Sequence, residues 1–216
     1  MIFEGTTFVG DTETDGKRPR GRNNPLSSEP YMTQVAGILY QGRREVGHFS
    51  CFTKPVDPST GAQREVPKEE FFINAGITDD VINTVGMPYK VALAMWNQFI
   101  KVTDRVVFHN VQFDDPIVRA AYSRIAAPQR SWWDTPKFCT MKTLEPIMKL
   151  PGKYGYKYPT LDEAYRAYVD PMGFDGAHDA MVDVRAAADV LWACEDNNFP
   201  LWKLPENWPK EEQDNA

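Results

Sequence analysis

The chain has 216 residues, 42% of them hydrophobic and 25% charged, and its 24 basic and 30 acidic side chains give a formal net charge of −6. This length suits one globular domain with a sizeable core, and the charge does not by itself indicate a nucleic-acid binder, although a local basic patch can outweigh it. No run approaches the roughly 20 apolar residues that a membrane helix requires, so we expect a soluble protein without a membrane partner.

The first predicted elements are β-structure. An apolar run at 7–9 is interpreted as a buried strand, and a loop at 16–30 follows it. Two β-rich runs, 34–40 and 45–54, flank a turn-like segment, and this pattern predicts a β-hairpin.

Helical segments dominate the remainder, interrupted by an apolar strand at 105–108. Pro116 is placed at a helix start, where a missing N–H is tolerated, and Thr160 opens a capping box. The predicted helices are 71–83, 89–102, 116–125, 143–149, 161–168 and 179–195. The order of elements predicts an α/β fold with a mixed sheet in a single domain at 1–199, followed by a tail at 200–216.

The cysteines and the N-terminus bear on the compartment. Cys51, Cys139 and Cys194 are an odd number without the spacing of a metal site, which favours free thiols in a reducing environment. The opening residues have an acid at position 4 and lack the basic-then-apolar pattern of a secretory signal. We therefore predict an intracellular, cytoplasmic location.

Two carboxylates, Asp11 and Glu13, follow the first predicted strand. Residues two apart on a strand point to the same face, so both would lie on one side where the buried strand emerges. Ligand sites in α/β sheets favour strand ends, which suggests a metal site. With 30 acids in the chain such pairs also arise by chance, and a solvated strand end is the simpler explanation of this pair alone. Asp15 is assigned to the turn into the next loop.

A second acidic cluster, residues 109–115, directly follows the strand at 105–108. Asp114 and Asp115 lie where the chain enters a helix, and a helix cap is the competing explanation, stronger for Asp115 than for Asp114.

A third cluster contains His178, Asp179 and Asp183. A helix beginning near Asp179 places His178 in the entering loop and Asp183 in the first turns, so both can face one cleft. Acids also favour helix N-termini because of the helix dipole, and a lone histidine is more often structural. The chain has three histidines, however, and two of them, His109 and His178, lie in these acidic clusters.

Together the clusters contain the parts of a metal-dependent phosphodiesterase. Converging carboxylates repel one another without a cation, and hard divalent ions accept such oxygen ligands. Two ions about 3.5–4 Å apart can clamp the attacking and leaving oxygens of a phosphoryl displacement. A neutral histidine with a pKa near 6.5 can accept the proton of the attacking water.

The three clusters resemble the motifs of the DEDDh exonucleases, the DnaQ-like group that includes proofreading 3′–5′ exonucleases and several exoribonucleases. Asp-x-Glu-Thr is matched at 11–14, His-Asn-x-x-Phe-Asp at 109–114 and His-Asp-Ala-x-x-Asp at 178–183. The order and separation are those of the family, and weaker likenesses extend the resemblance over roughly residues 6–195. The histidine five residues before the last aspartate is typical of the DEDDh subgroup.

The resemblance implies a ribonuclease H-like fold, an α/β domain whose mixed five-stranded sheet has helices on both faces. It implies that Asp11, Glu13, Asp114 and Asp183 ligate two Mg²⁺ or Mn²⁺ ions and that His178 is the general base. The implied reaction releases nucleoside 5′-monophosphates from the 3′ end of single-stranded or frayed DNA. A polymerase or another replication or repair protein is an implied partner.

Substrate contacts are predicted in two regions. The resemblance places the terminal nucleotide against Thr12, Thr14, Asn110 and Phe113. The loop at 16–30 is longer than in many relatives, and its four basic residues either follow phosphates or belong to a solvated loop. These four are Lys17, Arg18, Arg20 and Arg22.

Residues 152–159, with the sequence GKYGYKYP, interleave two lysines with three tyrosines. Aromatic faces beside cations suit the stacking of unpaired bases. Tyrosines packed within an ordered loop are the interpretation favoured by a small margin.

Two alternatives to a DNA exonuclease stay open. An exoribonuclease uses the same chemistry, and no motif reveals the contacts to the 2′-OH that separate RNA from DNA. A non-catalytic nucleic-acid-binding module on the same fold is the remoter alternative, because inactive relatives should have lost some of the five active-site residues, and all five are present.

Overall fold

A computed structural model describes residues 3–19, 24–57, 60–65, 77–128, 130–206 and 208. The strands are β1 (Thr6–Thr14), β2 (Met32–Gln41), β3 (Arg44–Lys54), β4 (Met87–Pro88), β5 (Arg105–Phe108), β6 (Lys137–Cys139), β7 (Pro151–Gly152), β8 (Gly155–Tyr156) and β9 (Trp202–Lys203). The α-helices are α1 (Asp79–Val85), α2 (Tyr89–Ile100), α3 (Val111–Arg124), α4 (Arg130–Asp134), α5 (Thr140–Met148), α6 (Leu161–Tyr168) and α7 (Ala180–Asp196).

Seven strands of the described chain form one mixed sheet in the order β4-β3-β2-β1-β5-β6-β9. β1 pairs antiparallel with β2 and parallel with β5, and β6 continues the parallel part. The predicted α/β fold with a mixed sheet is confirmed, and the two-residue strands β4 and β9 extend it beyond five strands. β9 lies in the segment predicted as a tail at 200–216 and pairs with β6.

Alternate residues of β1 face opposite layers of helices, as the period of a strand requires. Phe8 packs in one apolar cluster with Trp96 of α2 and Trp132 of α4, and the rings of Phe8 and Trp96 are 4.8 Å apart. Val9 packs in a second cluster with Val184 and Leu191 of α7. The sheet therefore has helices on both faces, as the resemblance implies.

Helix α3 begins at Val111, so the predicted start at Pro116 is wrong. Proline has no N–H, and inside a helix it leaves the carbonyl four residues earlier, here that of Gln112, without its usual donor. Arg18 supplies the missing hydrogen bond by donating from Nη1 to the carbonyl oxygen of Gln112 at 2.6 Å. A side chain from a distant loop thus allows the helix to extend back towards the end of β5.

Several other predicted elements are confirmed. β5 has the predicted bounds, and the capping box at Thr160 is formed at the start of α6. Of the predicted helix at 71–83, residues 71–76 lie outside the described residues, and α1 covers its end. Among the residues that are described, no helix is long and apolar enough to span a membrane.

Candidate active site

Strand β1 carries the first two acids of the candidate site. It continues to Thr14, so Asp11 and Glu13 lie within the strand, and the prediction that it ends at residue 9 is wrong. Acids are poor strand formers, but the antiparallel neighbour β2 pairs with both positions and overrides this preference. Alternation leaves Asp11 and Glu13 half-buried on one face, while Thr12 and Thr14 are buried on the other.

Asp114 lies in the first turn of α3 and is 3% exposed. Its Oδ1 accepts two hydrogen bonds from Thr12, one from the backbone N–H at 3.2 Å and one from the hydroxyl at 2.8 Å. Thr12, predicted to contact the terminal nucleotide, is buried and orients this carboxylate. The two residues are 102 positions apart, so the hydrogen bonds join β1 to α3 at the site.

The third motif lies at the N-terminus of α7. Asp179 is the N-cap, and its Oδ1 accepts hydrogen bonds from the N–H groups of Met181 and Val182 at 3.0 and 3.1 Å. His178 precedes the cap with a left-handed φ of 75°, is exposed, and donates its backbone N–H to Oδ2 of Asp183 at 3.2 Å. The hydrogen bond to Asp183 therefore holds the first turn of the helix against the backbone of His178.

Glu13, His178 and Asp183 form a group suited to a metal ion. Each offers one ligand atom, and these atoms lie within 4.8 Å of one another. Oδ1 of Asp183 is buried and has no hydrogen-bond partner among the described residues. A buried carboxylate oxygen without a donor is destabilising, and a cation at this position would compensate it.

Burial and mutual repulsion disfavour the ionisation of the four acids. Burial raises the pKa of Asp11 well above its usual value, and the charges of Asp114, Glu13 and Asp183 raise it further. Burial, followed by the charges of Asp183 and Asp114, raises the pKa of Glu13 to about 8. Burial also raises the pKa of Asp114 to about 7, against the opposing hydrogen bonds from Thr12. The four acids are thus close enough to repel one another, and the cluster favours bound cations.

Gln34 has a role in the site that no motif predicted. It lies on β2 opposite Glu13 and is 3% exposed. Its Nε2 donates to Oδ2 of Asp179 at 3.2 Å, and its Oε1 accepts from the backbone N–H of Ala180 at 3.3 Å. The amide fixes the start of α7 against the sheet. The available sequence signal was an amide at the start of the mostly apolar run 34–40.

The predicted contacts to the terminal nucleotide differ in exposure. The hydroxyl of Thr14 donates to the carbonyl of Gly16 at 2.7 Å and is engaged within the protein. Asn110 and Phe113 are partly exposed at the start of α3, beside the acidic cluster. These two remain the accessible members of the predicted set.

The four basic residues of the loop differ in exposure and in contacts. Lys17 is exposed, and Arg20 and Arg22 lie outside the described residues. Arg18 forms a bidentate ion pair, with Nε and Nη2 donating to the two carboxylate oxygens of Glu29 at 2.6 and 2.5 Å. With Nη1 bonded to α3, Arg18 connects the loop to the helix, and its contact with phosphate stays a prediction.

Asp15 joins the two ends of this loop by hydrogen bonds to Tyr31. Its backbone N–H donates to the carbonyl of Tyr31 at 2.9 Å, and its Oδ1 accepts from the N–H of Tyr31 at 2.7 Å. Its Oδ2 pairs with Nε of Arg64 at 2.9 Å. The third acid of the opening motif is therefore structural.

His109, the histidine of the second motif, is half-buried, and its ring forms hydrogen bonds that connect three secondary-structure elements. Its Nε2 donates to the carbonyl of Pro159 at 3.1 Å, and its Nδ1 accepts from the hydroxyl of Thr140 at 2.9 Å. Burial lowers the pKa of the ring to about 4, so it is neutral at physiological pH. The ring ties the end of β5 to the starts of α5 and α6.

Residues 8–191 match the family model described as Exonuclease, RNase T. No curated protein matches the sequence significantly. E. coli exonuclease I in complex with a dT13 oligonucleotide is similar in structure, with a TM-score of 0.68 and 19% identity over 88% of this chain and 41% of that chain. Cell-death related nuclease 4 has a TM-score of 0.63 and 18% identity over 93% of this chain and 66% of that chain. Exonuclease X in complex with 5′ overhanging duplex DNA has a TM-score of 0.57 and 17% identity over 90% of this chain and 94% of that chain.

At these identities the structural likeness establishes the fold, which is that of the ribonuclease H-like exonucleases. The chain spans about two fifths of the length of the exonuclease I structure, 41%. The family match covers all three motifs, and it confirms the resemblance inferred from them.

Proposed function

The chain belongs to the exonuclease family, in its DEDDh, DnaQ-like branch, and from this premise we propose that it is a 3′–5′ exonuclease. The proposed reaction hydrolyses the last phosphodiester bond at the 3′ end of single-stranded or frayed DNA and releases a nucleoside 5′-monophosphate. The observation that carries the proposal is the convergence of Glu13, His178 and Asp183 from distant parts of the sequence.

The four acids fit a pair of hard divalent cations, which we assign as Mg²⁺ or Mn²⁺. Asp11, Glu13, Asp114 and Asp183 would hold them, since carboxylate oxygens are the ligands these ions prefer. The buried Oδ1 of Asp183, without a partner among the described residues, is one donor atom ready for this role. When bound, two such ions would supply an activated water and positive charge against the phosphate.

His178 is the proposed general base. It is exposed and lies among the acidic ligands, and a neutral imidazole can accept the proton of the attacking water at a ring nitrogen. The hydrogen bond from its backbone N–H to Asp183 holds the residue beside the site while its ring stays accessible. Thr12 lies on the face of β1 opposite Asp11 and Glu13, and its two hydrogen bonds favour the ionised form of Asp114.

Single-stranded DNA is the proposed substrate. Exposed Lys17 lies three residues after the end of β1, and a lysine there can contact phosphate. The similar exonuclease I structure contains a dT13 oligonucleotide, and exonuclease X contains 5′ overhanging duplex DNA. RNA ends are the alternative substrate, because the same site chemistry cleaves both polymers.

The test is the hydrolysis of 5′-labelled single-stranded DNA and RNA by the purified chain with Mg²⁺, Mn²⁺ or EDTA. We expect metal-dependent shortening from the 3′ end, faster on DNA, and no cutting of circular DNA. Asp11→Asn should abolish turnover, whereas Asp80→Asn, the same change at an exposed acid of α1, should leave it intact.

Each contrary outcome has a distinct meaning. Degradation in EDTA would exclude the proposed enzyme, and so would the absence of degradation of both DNA and RNA. If neither polymer is degraded but nucleic acid is still bound, the non-catalytic module is favoured. Cutting of the circle would exclude an exonuclease. Faster degradation of RNA would assign the chain as an exoribonuclease.

We also propose one catalytic domain at 1–199 and action in a reducing compartment, the cytoplasm. The three described cysteines, Cys51, Cys139 and Cys194, are buried free thiols, which suits such a compartment. A polymerase or another replication or repair protein is the predicted protein partner, and co-purification from cells tests it.

A further inference from the structure

Three tyrosines lie exposed on a small hairpin that the proposed reaction does not use. β7 and β8 pair antiparallel, and the N–H of Lys157 extends the ladder by donating to the carbonyl of Leu150 at 2.9 Å. The side chains are 90% exposed at Tyr154, 56% at Tyr156 and 45% at Tyr158.

This exposure distinguishes the hairpin from the rest of the protein. In the described parts of the chain, no other phenylalanine, tyrosine or tryptophan is exposed to this degree. Packing within an ordered loop, the interpretation that the sequence favoured, therefore does not account for the three rings. Their faces are available to a ligand.

The rings are accompanied by cations. Lys142 donates from Nζ to the hydroxyl of Tyr158 at 2.6 Å, and Nζ of Lys153 lies 5.1 Å from the ring centre of Tyr154. Residues 146–161 contain lysines but no acid, in a chain whose net charge is −6, although Lys157 pairs with Glu163 at 2.5 Å. The positive charge beside the rings is therefore that of Lys142 and Lys153. A surface that combines π-faces with local positive charge suits a ligand with flat rings and phosphates.

The base of the hairpin is tied to the candidate active site. The carbonyl of Pro159, which follows the third tyrosine, accepts the hydrogen bond from the half-buried ring of His109 at 3.1 Å. Asn110, the residue after His109, accepts a hydrogen bond at its carbonyl from the N–H of Asp114 at 3.4 Å. The C-terminal end of the hairpin is therefore held against the end of β5, next to the start of helix α3.

We propose that this tyrosine hairpin, residues 151–158, binds the single-stranded segment of a nucleic acid that lies 5′ to the nucleotide being removed. Unpaired bases stack on the rings of Tyr154, Tyr156 and Tyr158, and the neighbouring lysines attract the backbone phosphates. The position of the 3′ end rests on the proposed function, whereas the binding itself requires no catalysis.

The experiment is a titration of the full chain against a 5′-fluorescein oligothymidylate of about 20 nucleotides, followed by fluorescence anisotropy in EDTA. The test variant combines Tyr154→Ala, Tyr156→Ala and Tyr158→Ala, and its partner combines the three Tyr→Phe changes, which keep the rings. Met172→Ala is the control, since Met172 is 81% exposed outside the hairpin. A blunt duplex of the same length is the control ligand.

We expect the alanine variant to bind the oligothymidylate at least about tenfold more weakly, because stacking on one aromatic ring already has an effect of this size. The phenylalanine variant and Met172→Ala should bind as the wild type does, and affinity for the blunt duplex should not change. Wild-type affinity in the alanine variant, or no binding by the wild type, would overturn the proposal. Loss of binding in the phenylalanine variant would also overturn it, because the rings would not be responsible.

The same titration separates this proposal from the proposed function. A chain that binds the oligothymidylate through the tyrosines but hydrolyses no substrate retains the hairpin proposal and loses the exonuclease. A chain that hydrolyses DNA while its alanine variant binds normally retains the exonuclease and loses the hairpin proposal.

Discussion

The guanidinium of Arg18 donates a hydrogen bond at 2.6 Å to the carbonyl of Gln112, the carbonyl that Pro116 leaves without a helical donor. Arg18 is held for this role by a bidentate ion pair with Glu29, whose side chain is 1% exposed. The loop after β1 is thereby connected to the helix that carries Asp114. A residue predicted to contact phosphate is thus part of the support of the candidate site.

Arg18→Gln should lower the free energy of unfolding by about 3 kcal/mol, because it leaves the buried carboxylate of Glu29 uncompensated and removes a donor from α3. Urea unfolding measures the change. Lys17→Gln, at the exposed neighbour, should change stability by less than about 0.5 kcal/mol. Equal losses in the two variants would contradict a structural role specific to Arg18.

Gln34→Leu should lower the free energy of unfolding by about 1–3 kcal/mol, because it removes both hydrogen bonds that fix the start of α7. Turnover and Mg²⁺ affinity should fall together, since Asp183 lies in the first turn of that helix. Urea unfolding, kinetics and calorimetric titration measure the three quantities. Gln41→Leu is the control on the same strand, where the exposed amide donates to the carbonyl of Glu4 at 2.7 Å, away from α7.

Thr12→Val should raise the pKa of Asp114, because the hydroxyl hydrogen bond that opposes the effect of burial is lost. Metal binding needs the ionised acid, so the acid limb of the pH profile of kcat/KM should move to higher pH by roughly half a unit to one unit. Thr103→Val, which removes a hydroxyl bonded at the end of α2, should leave the profile unchanged. A shift to lower pH in Thr12→Val would exclude this role.

The metal-free protein should lose stability as the pH rises from about 4.5 towards about 8. The pKa of Glu13 is about 8 in the folded chain against a usual value of 4.5, so the folded state binds the proton more tightly than the unfolded chain does. Mg²⁺ should therefore raise Tm more at high pH than at low pH. Thermal melts in EDTA and in Mg²⁺ at both pH values measure this. An equal rise at both would count against the acid cluster as the metal site.

Asp11→Asn should abolish turnover and raise the stability of the metal-free protein at pH 8 by on the order of 1 kcal/mol, because it removes repulsion among the clustered carboxylates. Asp15→Asn is the matched change and should have the opposite effect on stability. It weakens the pairing with Arg64 and the hydrogen bonding that joins the two ends of the loop. Melting curves in EDTA distinguish the two signs, and a loss of stability in both variants would contradict the predicted repulsion.

Local sequence patterns determined the motifs and several elements of this protein. The capping box at Thr160, the strand β5 and the hairpin of β2 and β3 depend on residues that are near one another in the sequence, which a linear pattern reveals. The acid and histidine motifs were predictable for the same reason, because each is a short, fixed spacing. The β1 extension past residue 9 was not, since it depends on pairing with β2.

Contacts between distant residues decided what the linear pattern left open. Arg18 and Gln112 are 94 positions apart and Gln34 and Asp179 are 145 apart, and nothing local indicates which distant donor will meet which acceptor. Helix α3 tolerates Pro116 because Arg18 reaches it, so even a local element depended on a tertiary contact. The exposure of the three hairpin tyrosines also follows from the fold, because a ring's burial depends on which other parts of the chain cover it.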